Sequence, residues 1–345
     1  MGYQHTKADH AVFTCTCNGT LSIITLYIDD ITMASGELES ISQHNASLRE
    51  SYEMTDLEDL SWILGMHVTC DRDTRWITIS QQKHIEETLE RFGKSDICPI
   101  STPTLTNEHL IKISSPEIDV KSYQSAIGML MYPMLGTCPN LAYTVMALGR
   151  HSASPGEEHQ RALDHAFQYL KATSNSHLVF QCGTPGGTTL HGFVDANWAS
   201  NVNDRKSTLG FVLMLGGAAV SWSLKKQTSV ALLNTEAEYI AAVHATKKVI
   251  WLRRLLTDLG LDLDSPTTLH VDNQFAIAIV CNPEFHDRTK HIEVCHHFLR
   301  QKVKGKEIHL EYTPTKEQTA DILTKGLVHE KHERFSNAMG LCRLD

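Results

Sequence analysis

Four acidic residues at separated positions are the side chains of this sequence best suited to metal chemistry; they are Asp195, Glu238, Asp272 and Asp321. Asp195 and Asp272 each follow a short alternating, strand-like run, and a turn or helix signal comes next. If those strands lie side by side and parallel, both carboxylates emerge at one edge of the sheet. Carboxylates that close repel each other unless a divalent cation neutralises them, and oxygen ligands suit Mg²⁺. A cluster of four would hold two ions roughly 4 Å apart, the arrangement that drives in-line phosphodiester hydrolysis.

Each acid also has a purely structural interpretation. A single Asp at a strand end is usually a turn residue or a helix N-cap. Thr235-x-x-Glu238 fits a capping box at the start of a helix, and Glu236 is a neighbour that could be confused with Glu238. Taken singly, each acid is better explained as structural, but four in this order on a strand–helix–strand–helix pattern favour a metal site.

The elements that must position these acids are visible in the hydrophobic pattern of the second half. The predicted strands are a first one entering Asp195, then 210–215, 221–232, 269–272 and 308–312, and the predicted helices are a long one ending at Gly260, a short one over 274–280 and one over 292–303. This is a mixed five-stranded sheet with helices on both faces.

The first half carries a second acidic pair, Asp29-Asp30. Strands over 11–17 and 21–28, joined by the turn signal Asn18-Gly19, predict a β-hairpin that ends in this pair. Beyond it the pattern predicts a helix over 39–60, strands over 64–68 and 76–80, a helix over 81–92, a polar linker from 101 and three helical segments between 123 and 170.

Residues 189–328 closely resemble the RNase H domain of copia-type LTR retrotransposon Pol polyproteins. The matching segments are Asp195–Ala199, Asp204–Phe211, Ser221–Gln227, Asn234–Ala241, Val271–Gln274, Arg288–Ile292 and Ala320–Lys325. The resemblance implies that Asp195, Glu238, Asp272 and Asp321 are catalytic and bind Mg²⁺, with Mn²⁺ as an alternative ion, and that the substrate is an RNA–DNA hybrid. Glu238 is preferred to Glu236 because the Tyr-Ile-Ala that follows it matches the segment after the catalytic Glu in RNase H folds.

The first half resembles the end of the copia-type reverse transcriptase. Leu26-Tyr-Ile-Asp-Asp30 is similar to the polymerase motif, which implies that Asp29 and Asp30 are catalytic, ligate Mg²⁺ and face a template-primer. In the family the third palm aspartate and the fingers lie N-terminal to the position of Met1, so a partial palm is expected. Cys138-Pro-Asn140 departs from the usual Arg-Pro-Asp of the family.

These resemblances predict an α+β chain whose second part is of the α/β type. They also predict how the chain divides into segments. The predicted segments are a truncated palm and start of the thumb over 1–100, a linker over 101–121, a helical thumb or connection over 122–188, the RNase H-like domain over 189–328 and a C-terminal tail over 329–345.

Composition narrows the class of protein. The net charge is −9, but residues 1–188 contain 12 basic and 22 acidic residues while the remainder contains 19 and 18, so nucleic acid is expected to bind through the second half. Nine cysteines without paired spacing indicate intracellular thiols, and the absence of a signal peptide or a membrane-length apolar run predicts no membrane contact. A run from His286 to His297 invites a zinc hypothesis, although its spacing favours histidines near phosphate.

The predicted function is therefore metal-dependent cleavage of the RNA strand of RNA–DNA hybrids, by an RNase H-type endoribonuclease attached to an RNA-directed DNA polymerase fragment that is inactive alone. The alternative is a catalytically inert or domesticated fragment that binds nucleic acid or a partner protein. The intact acids favour the first, and the acidic first half favours the second.

Overall fold

A computed structural model describes residues 2–17, 19–104, 110, 118–181, 187–200, 204–228, 230–231, 233–261, 263–281 and 290–343, with only the backbone described for 290–296. Most of the predicted linker, the turn residue Asn18 and the histidine run up to His296 therefore lie outside the described residues or side chains. The chain divides into two compact units, Met1–Leu60 with Thr246–Pro266, and Ser61–Ala245 with Thr267–Asp345. The segment boundaries expected from the sequence stay a prediction.

The first unit is built on an antiparallel sheet in the order β1-β2-β3-β4. Its elements are β1 (Gln4–His5), β2 (Val12–Cys17), β3 (Thr20–Tyr27), β4 (Asp30–Ser35), α1 (Leu38–Ser51) and the C-terminal half of α6 (Asn234–Asp258). The predicted hairpin is confirmed by the pairing of β2 with β3. Strand β4 was not predicted, and α1 ends at Ser51 rather than near residue 60.

The C-terminal half of α6 is tied to the segment between β1 and β2. Trp251 Nε1 donates a hydrogen bond to the Ala8 carbonyl oxygen at 3.0 Å. Asp258 Oδ2 accepts from the backbone N–H groups of Lys7 and Ala8 at 2.9 and 3.1 Å. Because these polar groups satisfy each other, the first unit depends on a helix encoded far downstream of its strands.

The second unit contains two sheets and most of the helices. Its elements are β5 (Trp62–Ile63), β6 (Met66–Asp71), β7 (Trp76–Ser80), α2 (Gln82–Arg91), α3 (Val120–Gly136), a 3₁₀ turn (Pro139–Leu141), α4 (Ala142–Gly149), α5 (Glu157–Ala172), β8 (Ser176–Gln181), β9 (His191–Asn197), β10 (Thr208–Leu215), β11 (Ala218–Lys226), the start of α6, β12 (Thr267–Val271), α7 (Gln274–Cys281), α8 (Lys290–Lys304), β13 (Ile308–Tyr312), α9 (Asp321–Thr324), α10 (His329–Ala338) and β14 (Leu341–Arg343).

A mixed sheet in the order β11-β10-β9-β12-β13 confirms the predicted five-stranded fold. Strands β9, β10 and β11 are antiparallel, whereas β12 runs parallel to both β9 and β13. Val194 is paired with Val271, so the residues that follow them emerge at the same edge. The strand β10 is buried along nearly its whole length, which places the sheet in the centre of this part of the core.

Gly210 in β10 allows α9 to lie directly against the sheet. A Cβ atom at this position would come within 2.5 Å of Thr324 Cγ2 and 3.2 Å of Leu323 Cβ. Since real Cβ atoms do not approach that closely, glycine is required for α9 to reach the site edge.

The second sheet is antiparallel, in the order β14-β8-β7-β6-β5. Strand β8 lies in the segment predicted to be helical, and β14 with α10 lies in the segment predicted as a tail. The two sheets share a buried cluster in which Leu178 of β8 and Leu341 of β14 pack with Val212 of β10 and Leu323 of α9. The helical segments α2 to α5 were predicted, and they bury a separate core that includes Tyr123, Leu130, Leu163 and Leu170. No helix in the described part of the chain is both long and apolar enough to cross a membrane.

Candidate metal centre

Asp195, Glu238 and Asp272 meet at the edge of the five-stranded sheet. Asp195 lies near the end of β9, Asp272 directly follows β12, and Glu238 projects from the first turns of α6. One carboxylate oxygen from each lies within 4.8 Å of the other two. The parallel pairing of β9 with β12 therefore produces the convergence that the sequence pattern predicted.

Glu238 is the member of this group with an unsatisfied atom. Its side chain is only 2% exposed, and its Oε2 is buried without a hydrogen-bond partner. The carboxylate also accepts a hydrogen bond from the Ala196 N–H. Helix α6 begins at Asn234, so Thr235 lies inside the helix and is not its N-cap. A buried polar atom without a partner is costly, and this one marks a place where a ligand is expected.

The electrostatics of Glu238 and Asp195 reflect burial and mutual repulsion. Burial, reinforced by the charges of Asp195 and Asp272, raises the pKa of Glu238 to about 9. Burial also raises the pKa of Asp195 to about 6, although Lys325 and Thr324 counteract part of that effect. At neutral pH the cluster therefore holds a proton on Glu238, which a bound cation would replace.

Asp195 is held on its other side by the segment around α9. Thr324 Oγ1 donates a hydrogen bond to Asp195 Oδ2. Lys325 Nζ lies 3.1 Å from Asp195 Oδ1. Asn197 Nδ2 in turn donates to the Thr324 carbonyl oxygen at 3.0 Å. These contacts fix both oxygens of Asp195 relative to α9.

Asp321 does not join the three-carboxylate group. It is fully buried, and each of its oxygens is paired with a lysine: Oδ1 with Lys325 Nζ and Oδ2 with Lys331 Nζ, both at 2.6 Å. Burial alone would lower the pKa of Lys325, but the carboxylates of Asp195 and Asp321 outweigh it and hold that pKa above its ordinary value. Asp321 is thus beside the site, with Lys325 between it and Asp195.

Asp272 is the most accessible member and is oriented by Thr315. Thr315 Oγ1 donates to Asp272 Oδ2 at 2.9 Å, and the Thr315 carbonyl oxygen accepts from Lys331 Nζ at 3.2 Å. Because Lys331 also binds Asp321, a continuous chain of hydrogen bonds links Asp272 to Asp321.

The three carboxylates open into a cavity of about 650 Å³. Three aromatic side chains on its lining are well exposed, namely Trp198, Phe275 and Tyr312, and Lys325 also reaches it. Sequence reasoning did not assign a role to Phe275 or Tyr312. The available signal was their position, since Phe275 comes three residues after Asp272 and Tyr312 ends the neighbouring strand.

Asp29 and Asp30 lie in the first unit, at the tight turn between β3 and β4. Tyr27 pairs with Asp30, so the turn consists of Ile28 and Asp29. Both aspartates are exposed, and Ile28 is 87% exposed with φ at +54°, a backbone conformation that β-branched residues rarely adopt. Among the residues that the structure describes, no third acid, histidine or cysteine lies close enough to complete a metal-binding group with this pair.

Comparison with known proteins accounts for both parts of the chain. The reverse transcriptase (RNA-dependent DNA polymerase) family matches residues 1–106. The Pol polyprotein from transposon TNT 1-94 of Nicotiana tabacum is 35% identical over 98% of this chain. The Pol polyprotein from transposon RE1 of Arabidopsis thaliana is 30% identical over all of it. The chain belongs to the copia-type retrotransposon Pol polyproteins.

This chain spans about a quarter of the length of these Pol relatives, 26% and 23% respectively. Among solved structures, the foamy viral protease-reverse transcriptase in complex with an RNA/DNA hybrid is 15% identical, with a TM-score of 0.47, and aligns with 85% of this chain and 36% of its own.

The side chains at the sheet edge fit a divalent cation. Asp195, Glu238 and Asp272 offer carboxylate oxygens, the donor type that Mg²⁺ and Mn²⁺ prefer. The buried, unpartnered Glu238 Oε2 supplies a coordination position that no protein group uses. Asp29 and Asp30 show no comparable fit, because both side chains are exposed and the described residues provide no third donor.

Proposed function

We propose that this chain is a divalent-metal-dependent nuclease that cuts the RNA strand of RNA–DNA hybrids, carried on a reverse transcriptase portion that does not polymerise by itself. The convergence of Asp195, Glu238 and Asp272 around the unpartnered Glu238 Oε2 carries the proposal. Membership of the Pol family supports the choice of substrate.

The roles of the three carboxylates follow from their surroundings. Asp195 and Glu238 are buried and would bind the cation from inside, while the more accessible Asp272 would bind it from the cavity side. When bound, the ion would supply a water molecule of lowered pKa and stabilise charge on the phosphate. Glu238 would hold the ion as a carboxylate and so would release its proton when the ion binds. The Thr315 hydroxyl group orients Asp272 through its hydrogen bond.

The cavity offers contacts for the nucleic acid beyond the reacting phosphate. Lys325 places a positive charge at the cavity wall, and exposed Lys316 lies next to Thr315. Trp198, Phe275 and Tyr312 present apolar rings that can pack on sugar rings in the shallow minor groove of a hybrid. The near-neutral second half of the sequence makes this end the better place for phosphate, because residues 1–188 contain 22 acidic against 12 basic residues.

Cleavage of an end-labelled RNA strand paired with DNA, by the purified whole chain in Mg²⁺, tests the proposal. We expect cleavage of the hybrid and no cleavage of single-stranded RNA or duplex DNA. Asp272→Asn should reduce the rate by at least about 100-fold, equivalent to about 3 kcal/mol of lost transition-state stabilisation. Glu236→Gln is the matched control, since Glu236 lies two residues before Glu238 and is not part of the carboxylate group.

Two results would contradict parts of the proposal. An inactive parent protein that still binds the hybrid would favour the second candidate, an inert nucleic-acid-binding fragment. An Asp272→Asn variant that cuts at the parent rate would place the reaction elsewhere.

A further inference from the structure

We propose that Cys15 and Cys17 form a two-thiolate binding site for one soft monovalent cation, with Cu⁺ as the representative ion. The pair lies in the sheet of the first unit and is not part of the carboxylate group. Its sequence spacing, Cys-x-Cys, is too short for the usual zinc patterns, so the sequence alone predicts only two strand residues.

Strand β2 brings the two sulfur atoms into contact. Residues two apart on a strand point to the same face of the sheet, and Cys15 Sγ lies 3.2 Å from Cys17 Sγ, with one thiol donating a hydrogen bond to the other. Because both thiols stand on one continuous strand, no rearrangement of the chain is needed to bring them together. The pair is therefore preorganised as a chelate.

The same spacing disfavours a disulfide bond between the two residues. A rise of about 3.2–3.4 Å per residue separates Cα atoms two residues apart by about 6.4–6.8 Å. That separation is at the upper end of the range of about 4.4–6.8 Å that disulfides span, so the bond would be strained and easily reduced. Neither Cys15 nor Cys17 is in a disulfide. Both sulfurs are thus available to a thiophilic ion.

The number of donors selects the kind of ion. Zn²⁺ in a structural site takes four ligands. In the described part of the chain, the carboxylate group is the one set of three or more metal-binding side chains, so no third such side chain completes a group with Cys15 and Cys17. Thiolates are soft ligands that select Cu⁺, and two of them suffice for a monovalent d¹⁰ ion.

One sulfur of the pair is covered, and the other is open to solvent. Cys15 is 8% exposed, whereas Cys17 is exposed. On the neighbouring strand Cys15 is directly paired with Ser22. Tyr3 hydrogen-bonds both Ser22 and His44 of α1, the latter at 3.0 Å, and so covers this face. An ion therefore enters from the Cys17 side and is held against a covered sulfur, where competing thiols have little access.

Binding exchanges protons for the ion: Cu⁺ + 2 RSH → [Cu(SR)₂]⁻ + 2 H⁺. Each sulfur loses its proton to solvent and forms one bond to the metal. The ion stays monovalent, so the step needs no oxidant or reductant. The exposed Cys17 side chain turns between rotamers to bring the two sulfurs to opposite sides of the ion.

A competition titration tests the site in the whole chain. Cu⁺, supplied as its acetonitrile complex under argon, is added to the reduced protein in excess Mg²⁺ with bathocuproine disulfonate, a chelator whose Cu⁺ complex is coloured. We expect the parent protein to keep one Cu⁺ against the chelator, with two sulfur neighbours in the X-ray absorption spectrum at the copper edge. Excess Zn²⁺ should not displace it.

Variants of the two cysteines identify the ligands. Cys17→Ser and Cys15→Ser should each weaken Cu⁺ binding by at least about 100-fold, because the second thiolate no longer acts at high effective concentration. The matched control, Thr16→Cys combined with Cys17→Ser, keeps the number of cysteines but places the two thiols on opposite faces of β2. It should bind as weakly as Cys17→Ser. Cys70→Ser, which removes an exposed cysteine from β6, should bind as the parent does.

Retention of Cu⁺ by Cys17→Ser, or by the variant with the thiol moved to position 16, would overturn the inference. A third ligand in the X-ray absorption spectrum would do the same, as would a Cys15–Cys17 disulfide in protein purified under argon, seen as the loss of two hydrogens by mass spectrometry. If Cys15→Ser does not fold, the other two variants still decide, since positions 16 and 17 are exposed. None of these outcomes affects the proposed nuclease.

Discussion

At the scale of single residues, Glu238 lowers the stability of the metal-free fold while offering an oxygen to the proposed cation. Its carboxyl group is buried beside two other acids, and its pKa is raised from 4.5 to about 9. Between these two pH values, the metal-free folded state therefore keeps a proton on Glu238 that the unfolded state has released. By linkage, the resulting loss of folding stability is absent below about pH 4.5, grows as the pH rises and is complete above about pH 9.

The first prediction is that Glu238→Gln stabilises the metal-free protein, and increasingly so from pH 5 to pH 9. The amide keeps the shape of the protonated acid and cannot ionise, so the penalty disappears. For a folded unit of this size each kcal/mol should raise the unfolding midpoint by about 2–4 °C. Thermal unfolding in EDTA at several pH values measures the difference, and Glu236→Gln should show no such trend.

A gain that is the same at every pH would contradict the predicted titration of Glu238. Adding Mg²⁺ should reverse the order, because the parent gains stability from the ion and the Gln variant does not.

The second prediction concerns Phe275, which is 77% exposed on the cavity wall. Phe275→Ala should weaken binding of an RNA–DNA hybrid by about tenfold, equivalent to roughly 1.5 kcal/mol for burying such a ring against the nucleic acid. The unfolding temperature should not change, because the ring packs on little in the free protein. Fluorescence anisotropy with a labelled, uncleavable hybrid measures the affinity.

An exposed leucine of the first unit supplies the control for that experiment. Leu38→Ala also removes an exposed apolar side chain, 61% accessible, and Leu38 is not among the residues that line the cavity. It should leave the affinity for the hybrid unchanged, and equal losses for both variants would argue against a specific contact at Phe275.

At the scale of elements, the β3–β4 hairpin presents Asp29 and Asp30 without the surroundings that the sheet edge of the second unit provides. Both carboxylates are exposed, and in the described part of the chain no third metal-binding side chain completes a group with them. Two-metal phosphoryl transfer depends on positioned carboxylates and on a bound triphosphate.

The third prediction is therefore that the chain does not extend a primer on an RNA template in Mg²⁺ or Mn²⁺. The acidic balance of residues 1–188 opposes template binding as well. Incorporation of labelled deoxynucleotides measures the activity, with Asp29→Asn beside the parent. Incorporation that this variant abolishes would contradict the prediction.

Elements with a strong local pattern could be predicted from the sequence, and those formed by distant pairing could not. The strands around Asp195 and Asp272 alternate clearly, so their parallel edge and the meeting of the two acids were predictable. Strand β14 has only three residues, and both β14 and β8 become strands because each finds a partner across the second sheet. The pairing of Asp321 with Lys325 and Lys331 was equally hidden, because it depends on the conformation after α9.

At the scale of the whole molecule, the C-terminal segment completes the core around the five-stranded sheet. Met339 is fully buried, and it packs in the same cluster as Val212 of β10 and Ile322 of α9. The Ala219 N–H donates to the Met339 carbonyl oxygen at 3.0 Å, which joins this segment to β11. The segment after residue 328 is therefore part of the fold that positions Asp321.

The fourth prediction is that Met339→Ala lowers the free energy of unfolding by about 2–5 kcal/mol, as expected for a large-to-small change in a core. Urea unfolding followed by tryptophan fluorescence measures the loss. Cleavage at low temperature should persist, since Met339 does not line the cavity. Asn337→Ala, an exposed change in the same segment, is the control and should cost much less.

The division of α6 between the two compact units has a consequence for synthesis on the ribosome. Residues up to Leu60 emerge first, but the helix half that packs with them begins only at Thr246, about 185 residues later. At ordinary translation speeds of 5–20 residues per second, the sheet waits roughly 10–40 s for its helix. During that interval the Ala8 carbonyl oxygen and the N–H groups of Lys7 and Ala8 are without the Trp251 and Asp258 side chains that later bind them. The first unit can therefore complete its fold only after this half of α6 has been synthesised, long after its own hairpins have had time to form.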